Sequence, residues 1–160
     1  MRFGGGILLD NYDKAIIAIL QKNARITNQE LADQVNLSAT PCWRRVKRLE
    51  EMGIIRQYVA LLDAPKVNLN TLAYIEVSLT DHTEATMMSF DRFIEGTPEV
   101  LECYSVSGNY DYLLRVLVKD NLTLESFLMK KLLHLNIVKA SNTFFALKQK
   151  KYTTELIADD

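Results

Sequence analysis

Residues 26–58, ITNQELADQVNLSATPCWRRVKRLEEMGIIRQY, constrain the fold more than any other stretch of the chain. Thr27, followed three positions later by Glu30, has the form of a capping box. The threonine hydroxyl accepts from the third amide and the glutamate reaches back to the cap. The short helix opened there buries Leu31 and Val35 and ends near Asn36. Ser38 then caps a second helix, with Pro41 in its first turn, where a missing N–H costs least. Cys42, Val46 and Leu49, at i, i+4 and i+7, make its inner stripe. Gly53 stands where a left-handed residue would stop it. Two short capped helices joined by a tight turn form a helix-turn-helix, whose second helix lies in the DNA major groove.

The outer face of that second helix supports the same reading. From Ser38 to Leu49 it holds four cations, Arg44, Arg45, Lys47 and Arg48, and no acid, in a chain whose net charge is only -1. Residues 1–65 carry a net +2 and residues 66–160 a net -3, an asymmetry that points the basic half towards a polyanion. Thr40, Trp43, Arg44 and Lys47 should face outward, with Arg45 and Arg48 as further candidates. A guanidinium can bond O6 and N7 of guanine together, or clamp a phosphate. Ser38 and Thr40 can bond phosphate oxygens or base edges, and the helix N-terminus itself favours a phosphate. A basic run alone is more often the solvated face of a structural helix. The caps, the turn and Gly53 reverse that balance. Trp43 can equally well pack on the neighbouring helix. The expected DNA-contacting set is Ser38, Thr40, Pro41, Trp43, Arg44, Arg45, Lys47 and Arg48.

A further helix, capped by Asp10 and running to about Lys22 with Ile16, Ile19 and Leu20 as its stripe, completes a tri-helical core. Residues 54–62 read as a strand and residues 63–70, with Pro65, as a linker. The pattern then changes. Strands are expected over 72–80, 99–107, 110–118 and 138–148, with Gly108-Asn109 as a two-residue hairpin turn. Helices are expected over 83–95, with Met87, Phe90 and Ile94 inward, and over 121–135, with Leu124, Phe127, Leu128 and Leu132 inward. The order βαββαβ is the ferredoxin-like pattern. The fold class is therefore α+β: a winged-type helix-turn-helix domain (1–62), a linker (63–70) and a ferredoxin-like βαββαβ domain (71–160).

A sheet covered on one face by helices and on the other by water should alternate apolar and polar residues. Tyr112-Leu113-Leu114-Arg115-Val116-Leu117-Val118 barely does. Two helices cover only one face, so a second copy of the chain is expected on the other, as a two-fold dimer. The alternative is an extra-buried central strand in a monomer. Cys42 and Cys103 are scattered, without metal or redox spacing, and suit a reducing cytoplasm. No apolar run is long enough to span a membrane, and no secretory segment stands at the N-terminus. Gly4, Gly5 and Gly6 read as a flexible lead-in, either an arm or a cloning scar.

The segments ARITNQELADQVNLSATPCWRRVKRLEEMGIIRQY and VSGNYDYLLRVLV, in that order, closely resemble the Lrp/AsnC family of leucine-responsive and asparagine-type transcription regulators. The likeness spans roughly residues 9–150. It implies an N-terminal DNA-binding unit, a C-terminal module that dimerises and binds amino acids, and assembly as dimers or octamers. Ser38, Thr40, Pro41, Arg45, Val46 and Leu49 fall on the family's recognition block. Gly108, Asn109, Tyr110, Asp111 and Tyr112 fall on its effector loop. Glycine lets backbone amides approach a carboxylate, and Asp111 can meet an ammonium. The resemblance implies that a neighbouring subunit completes the pocket with residues 133–138 and 141–145, among them Leu135, Thr143 and Phe144. Leu135, Ile137, Phe144 and Phe145 make that rim apolar, so leucine or methionine is the expected effector. His134 lies nearby and is more often a surface residue than a contact. Where the family often has Pro-Gly before the last strand, Asn136-Ile137 stand here, which leaves the path of that rim open.

The expected function is sequence-specific transcription regulation in response to a free amino acid. Two other classes were weighed. One is an amino-acid sensor acting on an enzyme, its helical part serving as an adaptor. The other is an architectural DNA-binding protein without effector. No cofactor or metal is expected, and no catalytic constellation is read: His82 and His134 stand far apart, and no Ser/His/Asp set or metal-spaced cluster occurs.

Overall fold

The computed structural model describes residues 9–157; Gly4, Gly5 and Gly6 lie outside them. The chain divides into two units. One holds the described residues up to Ala60 together with those from Lys151 onward, and the other spans Leu61–Lys150. The tail from Lys151 thus belongs with the first unit, not with the second as its position in the sequence suggested.

The first unit contains three helices, α1 (Asn11–Lys22), α2 (Asn28–Gln34) and α3 (Ala39–Glu51). Local chemistry sets each boundary. At the start of α1 the Asp13 amide donates to Asp10 Oδ1 at 2.9 Å and the Asp10 amide to Asp13 Oδ2 at 3.2 Å. At α2 the Glu30 amide donates to Thr27 Oγ1 at 3.2 Å and the Thr27 amide to Glu30 Oε2 at 2.9 Å, the box that the sequence predicts. Asn36, at φ 55°, turns the chain between α2 and α3, and Asn28 Nδ2 donates to the Ala39 carbonyl at 2.9 Å across that corner. Ser38 occupies the N-cap of α3 without a side-chain capping bond. Gly53, at φ 70°, ends α3: its amide donates to the Glu50 carbonyl at 2.9 Å and that of Ile54 to the Leu49 carbonyl at 3.0 Å. That pair of bonds is a Schellman cap. Ile16, Leu31, Ala32, Val35, Cys42 and Leu49 are buried together as the core.

The strand expected over 54–62 does not form. Beyond Ile55 the chain carries no regular element as far as a 3-10 turn at Ala64–Val67, and Val59, Leu61 and Leu62 are exposed. A strand exists by its ladder, and none of the described residues supplies a partner here. This segment stands where a wing would follow the reading helix. The tail returns to α1. Gln21 Nε2 donates to the Leu156 carbonyl at 2.9 Å, the Leu156 amide donates to Gln21 Oε1 at 2.6 Å, and Lys22 pairs with Glu155 at 3.1 Å.

The second unit is a four-stranded antiparallel sheet with helices on one face. Its elements are β1 (Thr71–Leu79), α4 (Glu84–Glu95), β2 (Val100–Ser105), β3 (Tyr112–Val118), α5 (Asn121–Phe127) and β4 (Val138–Phe145), with strand order β2-β3-β1-β4. Ala73, Ile75, Val77 and Leu79 of β1 and Leu114, Val116 and Val118 of β3 meet Phe90, Leu124, Phe127 and Leu132 in one core. The helix expected over 121–135 is shorter than the pattern implied. α5 passes into a π turn at Leu128–Leu132, where the Leu133 amide donates to the Leu128 carbonyl at 2.8 Å. β4 stops at Phe145, not near Lys148. Between β2 and β3 the chain is not a two-residue hairpin. The Val106 amide bonds the Asp111 carbonyl at 3.0 Å and closes a wider loop.

On the opposite face of the sheet, the register aligns Phe144, Tyr74, Arg115 and Glu102 in one row and Asn142, Glu76, Leu113 and Tyr104 in the next. Arg115 Nη1 pairs with Glu102 Oε1 at 2.8 Å, and Asn142 Nδ2 donates to Glu76 Oε2 at 3.1 Å. Leu113 and Leu117 are only half-buried there, and Tyr74, Tyr104 and Phe144 are exposed.

Candidate DNA-reading helix and effector loop

The four cations of α3 are not equivalent. Arg45 turns towards α1. Its Nη1 donates to Asp10 Oδ2 at 2.7 Å and to Asp13 Oδ1 at 2.9 Å, and its guanidinium stands 5.2 Å above the Tyr12 ring. Arg48 pairs with the other oxygen of Asp13. Asp13 is fully buried. Its desolvation is offset by two guanidinium groups and by the cap amide of Asp10. The Asp10 carboxyl is held below the usual range, chiefly by the Asp13 amide, and Arg45 is raised, chiefly by its bond to Asp10. Lys47 reaches Glu50 at 2.8 Å and is raised by that bond. Glu50 also accepts from the Tyr58 hydroxyl at 3.0 Å; burial, then Glu50, pushes that phenol up to about 12.

Arg44 has no intramolecular hydrogen bond or ion pair among the described residues and is exposed. Trp43 is 51% exposed. Ser38, Thr40 and Pro41 are exposed beside them at the start of α3. Ser38, Thr40, Pro41, Trp43 and Arg44 are thus exposed together on α3 and its cap, and Lys47 is exposed but paired with Glu50. Arg45 and Arg48, the further candidates for the outer face, both pair with Asp13 of α1. Asp13, three residues after the Asp10 cap, shows in the sequence only as an Asp-x-x-Asp spacing.

The loop between β2 and β3 is fastened at both ends. Gly108 sits at φ 126°, and a Cβ there would meet nothing within 4 Å, so its backbone borders open space. The Asn109 carbonyl accepts from Ser78 Oγ at 3.3 Å. Asp111 is the node. Its amide donates to the Val77 carbonyl at 2.9 Å and its Oδ2 accepts the Leu79 amide at 2.7 Å. The β1–β3 ladder ends with Val77 opposite Tyr112, so the carboxylate takes the place of the next backbone acceptor. Asp111 Oδ1 lies 2.7 Å from His82 Nε2. That bond first, then the Leu79 amide, holds the carboxyl below the usual range, and Lys139 on β4 adds to the effect.

The remaining expected effector residues do not converge within one chain. Tyr112 turns into the core, its ring 4.5 Å from that of Phe90, and burial raises its phenol. Leu135 packs against the same core. Thr143 pairs with buried Ile75 and Phe144 with Tyr74, so these neighbours point to opposite faces of the sheet. Tyr110 is half-buried in the loop. His82, set aside from the sequence, is the residue that joins the site. Among the described residues no group of three or more His, Cys, Asp or Glu could hold a metal ion.

Comparison with known proteins agrees with both halves. A family model described as winged helix-turn-helix DNA-binding matches residues 9–56, and one described as the Lrp/AsnC ligand binding domain matches residues 72–156. The chain is 37% identical to the DNA-binding transcriptional activator DecR of Escherichia coli K12, covering 93% of this chain and 98% of that protein. It is 36% identical to the leucine-responsive regulatory protein of the same strain, covering 93% and 91%. A transcriptional regulator of Neisseria meningitidis, crystallised as a complex with L-Met, is 40% identical with a TM-score of 0.89, covering 93% of this chain and 96% of that one. A reading helix with an open cationic face and a ligand-binding βαββαβ module in one polypeptide place this chain in the Lrp/AsnC family of DNA-binding transcription regulators.

Proposed function

We propose that this regulator binds operator DNA as a homodimer, and that a free amino acid at the β2–β3 loop sets its operator affinity. Leucine or methionine is the proposed effector. The observation that carries this reading is the loop itself: Gly108 opens onto free space within one short turn of a fixed carboxylate, Asp111. Backbone amides near Gly108 and Asn109 suit the effector's carboxylate, and Asp111 suits its ammonium. Within one chain Leu135 packs into the core and Phe144 lies on the opposite face of the sheet from Thr143. Their part in the pocket, with that of Tyr110, is therefore assigned to contacts between copies. The relative crystallised with L-Met supports an apolar side chain in the pocket.

DNA contact is assigned to Ser38, Thr40, Pro41, Trp43 and Arg44, with Lys47 released from Glu50 when a phosphate offers itself. Arg45 and Arg48 set the angle of α3. The second copy is proposed on the open face of the sheet, and the protein is proposed to act in the cytoplasm.

The test is a calorimetric screen of the twenty amino acids against the full protein and against Asp111→Asn. Asparagine keeps an acceptor for the Leu79 amide and removes the charge. Alanine would leave the amide of a buried residue unsatisfied and confuse folding with binding. Binding of one or a few apolar amino acids, lost in the variant, is the expected outcome. Binding to none would refute the sensor half. DNA affinity that falls steeply with salt separates the regulator from an adaptor acting on an enzyme.

A further inference from the structure

The carboxylate assigned to the effector's ammonium is already engaged by the chain itself. Its two bonds differ in kind. The bond from the Leu79 amide to Oδ2, at 2.7 Å, finishes the β1–β3 ladder, and Leu79 is buried. The bond between Oδ1 and His82 Nε2, also 2.7 Å, involves an imidazole whose side chain is 68% exposed. His82 lies on the segment that leads from β1 into α4 and makes no other hydrogen bond among the described residues. Its neighbour Asp81 uses its own carboxylate on the Thr83 amide at 3.0 Å and on Thr83 Oγ1 at 2.8 Å, which fixes the start of α4 without help from His82. The imidazole can therefore leave without dismantling a cap or a ladder.

We infer that His82 is a built-in occupant of the ammonium subsite: it holds Asp111 Oδ1 in the empty protein and is displaced when the amino acid binds. This rests on the reading of the loop as the amino-acid site. An imidazole N–H and an ammonium N–H are alternative donors to the same oxygen. An exposed pair of this kind is weak enough to exchange. The charged groups around the imidazole set the competition. Asp111 and Asp81 are the acids beside it, and Lys139 on β4 acts on Asp111 as well. The occupied carboxylate makes only a fraction of molecules competent to bind. The apparent affinity falls by that fraction, roughly tenfold if the imidazole is in place about nine-tenths of the time.

The experiment is calorimetric titration of L-methionine and L-leucine into the protein as wild type, His82→Ala and His82→Lys. His82→Ala should bind roughly tenfold tighter than wild type. His82→Lys, a permanent cation in the same place, should bind no better than wild type. The His82 ring resonances should also shift when effector is added to the wild type. Wild-type binding that stays the same or weakens in His82→Ala overturns the role of His82 while leaving the amino-acid site standing. No binding by any of the three overturns the amino-acid reading, and this inference with it.

Discussion

Arg44 and Arg45 are consecutive, and about 100° of helix separates their tasks. Arg44 is exposed and has no hydrogen-bond or ion-pair partner among the described residues. Arg45 reaches across to Asp10 and to the buried Asp13. The two alanine variants should therefore fail in different assays. Arg44→Ala should bind operator DNA with affinity lower by roughly tenfold, as expected for loss of one guanine or phosphate contact, and should melt like wild type. Arg45→Ala should lose about 2 kcal/mol of stability, the scale of a hydrogen bond to a charged group, because Asp13 keeps only Arg48 and its cap amide. Chemical denaturation alongside a mobility-shift titration reads both. Trp43 offers an independent check, since it is the one tryptophan of the chain and half-exposed on the reading face. Adding operator DNA should change its fluorescence, while adding the effector without DNA should not. An emission unmoved by DNA at saturating concentration would take Trp43 off the interface.

At the scale of elements, the helix starts are electrostatic devices. Asp10, Glu30, Asp81 and Asp120 all have carboxyls held below the usual range by cap bonds, and Asp111 by its bonds to His82 and Leu79. A depressed folded value contributes stability that is complete above the unfolded value and is lost as pH falls through the folded one. These groups should therefore leave the melting temperature unchanged down to about pH 5 and lower it below about pH 4. Glu30→Gln should make that acid loss shallower, which circular dichroism melts would show. The same caps explain what was legible. The Thr27–Glu30 box and the Gly53 stop are complete within a few residues, so sequence alone placed α2 and the end of α3. The expected strand over 54–62 rested on β-propensity, which cannot supply the missing ladder partner. The β2–β3 loop stood out through its resemblance to the family's effector loop, but the His82–Asp111 bond joins positions 29 apart and leaves no local trace. The opposed directions of Thr143 and Phe144 were legible, because neighbours in a strand always part.

The sheet's open face belongs to the whole molecule, because no helix of its own unit covers it. Its middle is mixed. Leu113 and Leu117 are half-buried, Tyr74 and Phe144 lie side by side, and the Arg115–Glu102 pair continues their row. An apolar patch with one satisfied ion pair suits a self-complementary two-fold contact, in which each copy presents the same rows to the other. A dimer also brings two α3 helices to one duplex, where half-sites about one helical turn apart can be read together. Tyr74→Asp tests the chain of reasoning from sheet to operator. The change puts an unpaired carboxylate on the open face and touches neither α3 nor the β2–β3 loop. Analytical ultracentrifugation should show a monomer at micromolar concentration, and wild type as a dimer or larger. The same variant should bind operator much more weakly, and footprinting should lose the paired half-site pattern. A variant that stays dimeric would move the interface off this face. A monomer that still protects both half-sites at wild-type concentrations would separate DNA reading from dimerisation.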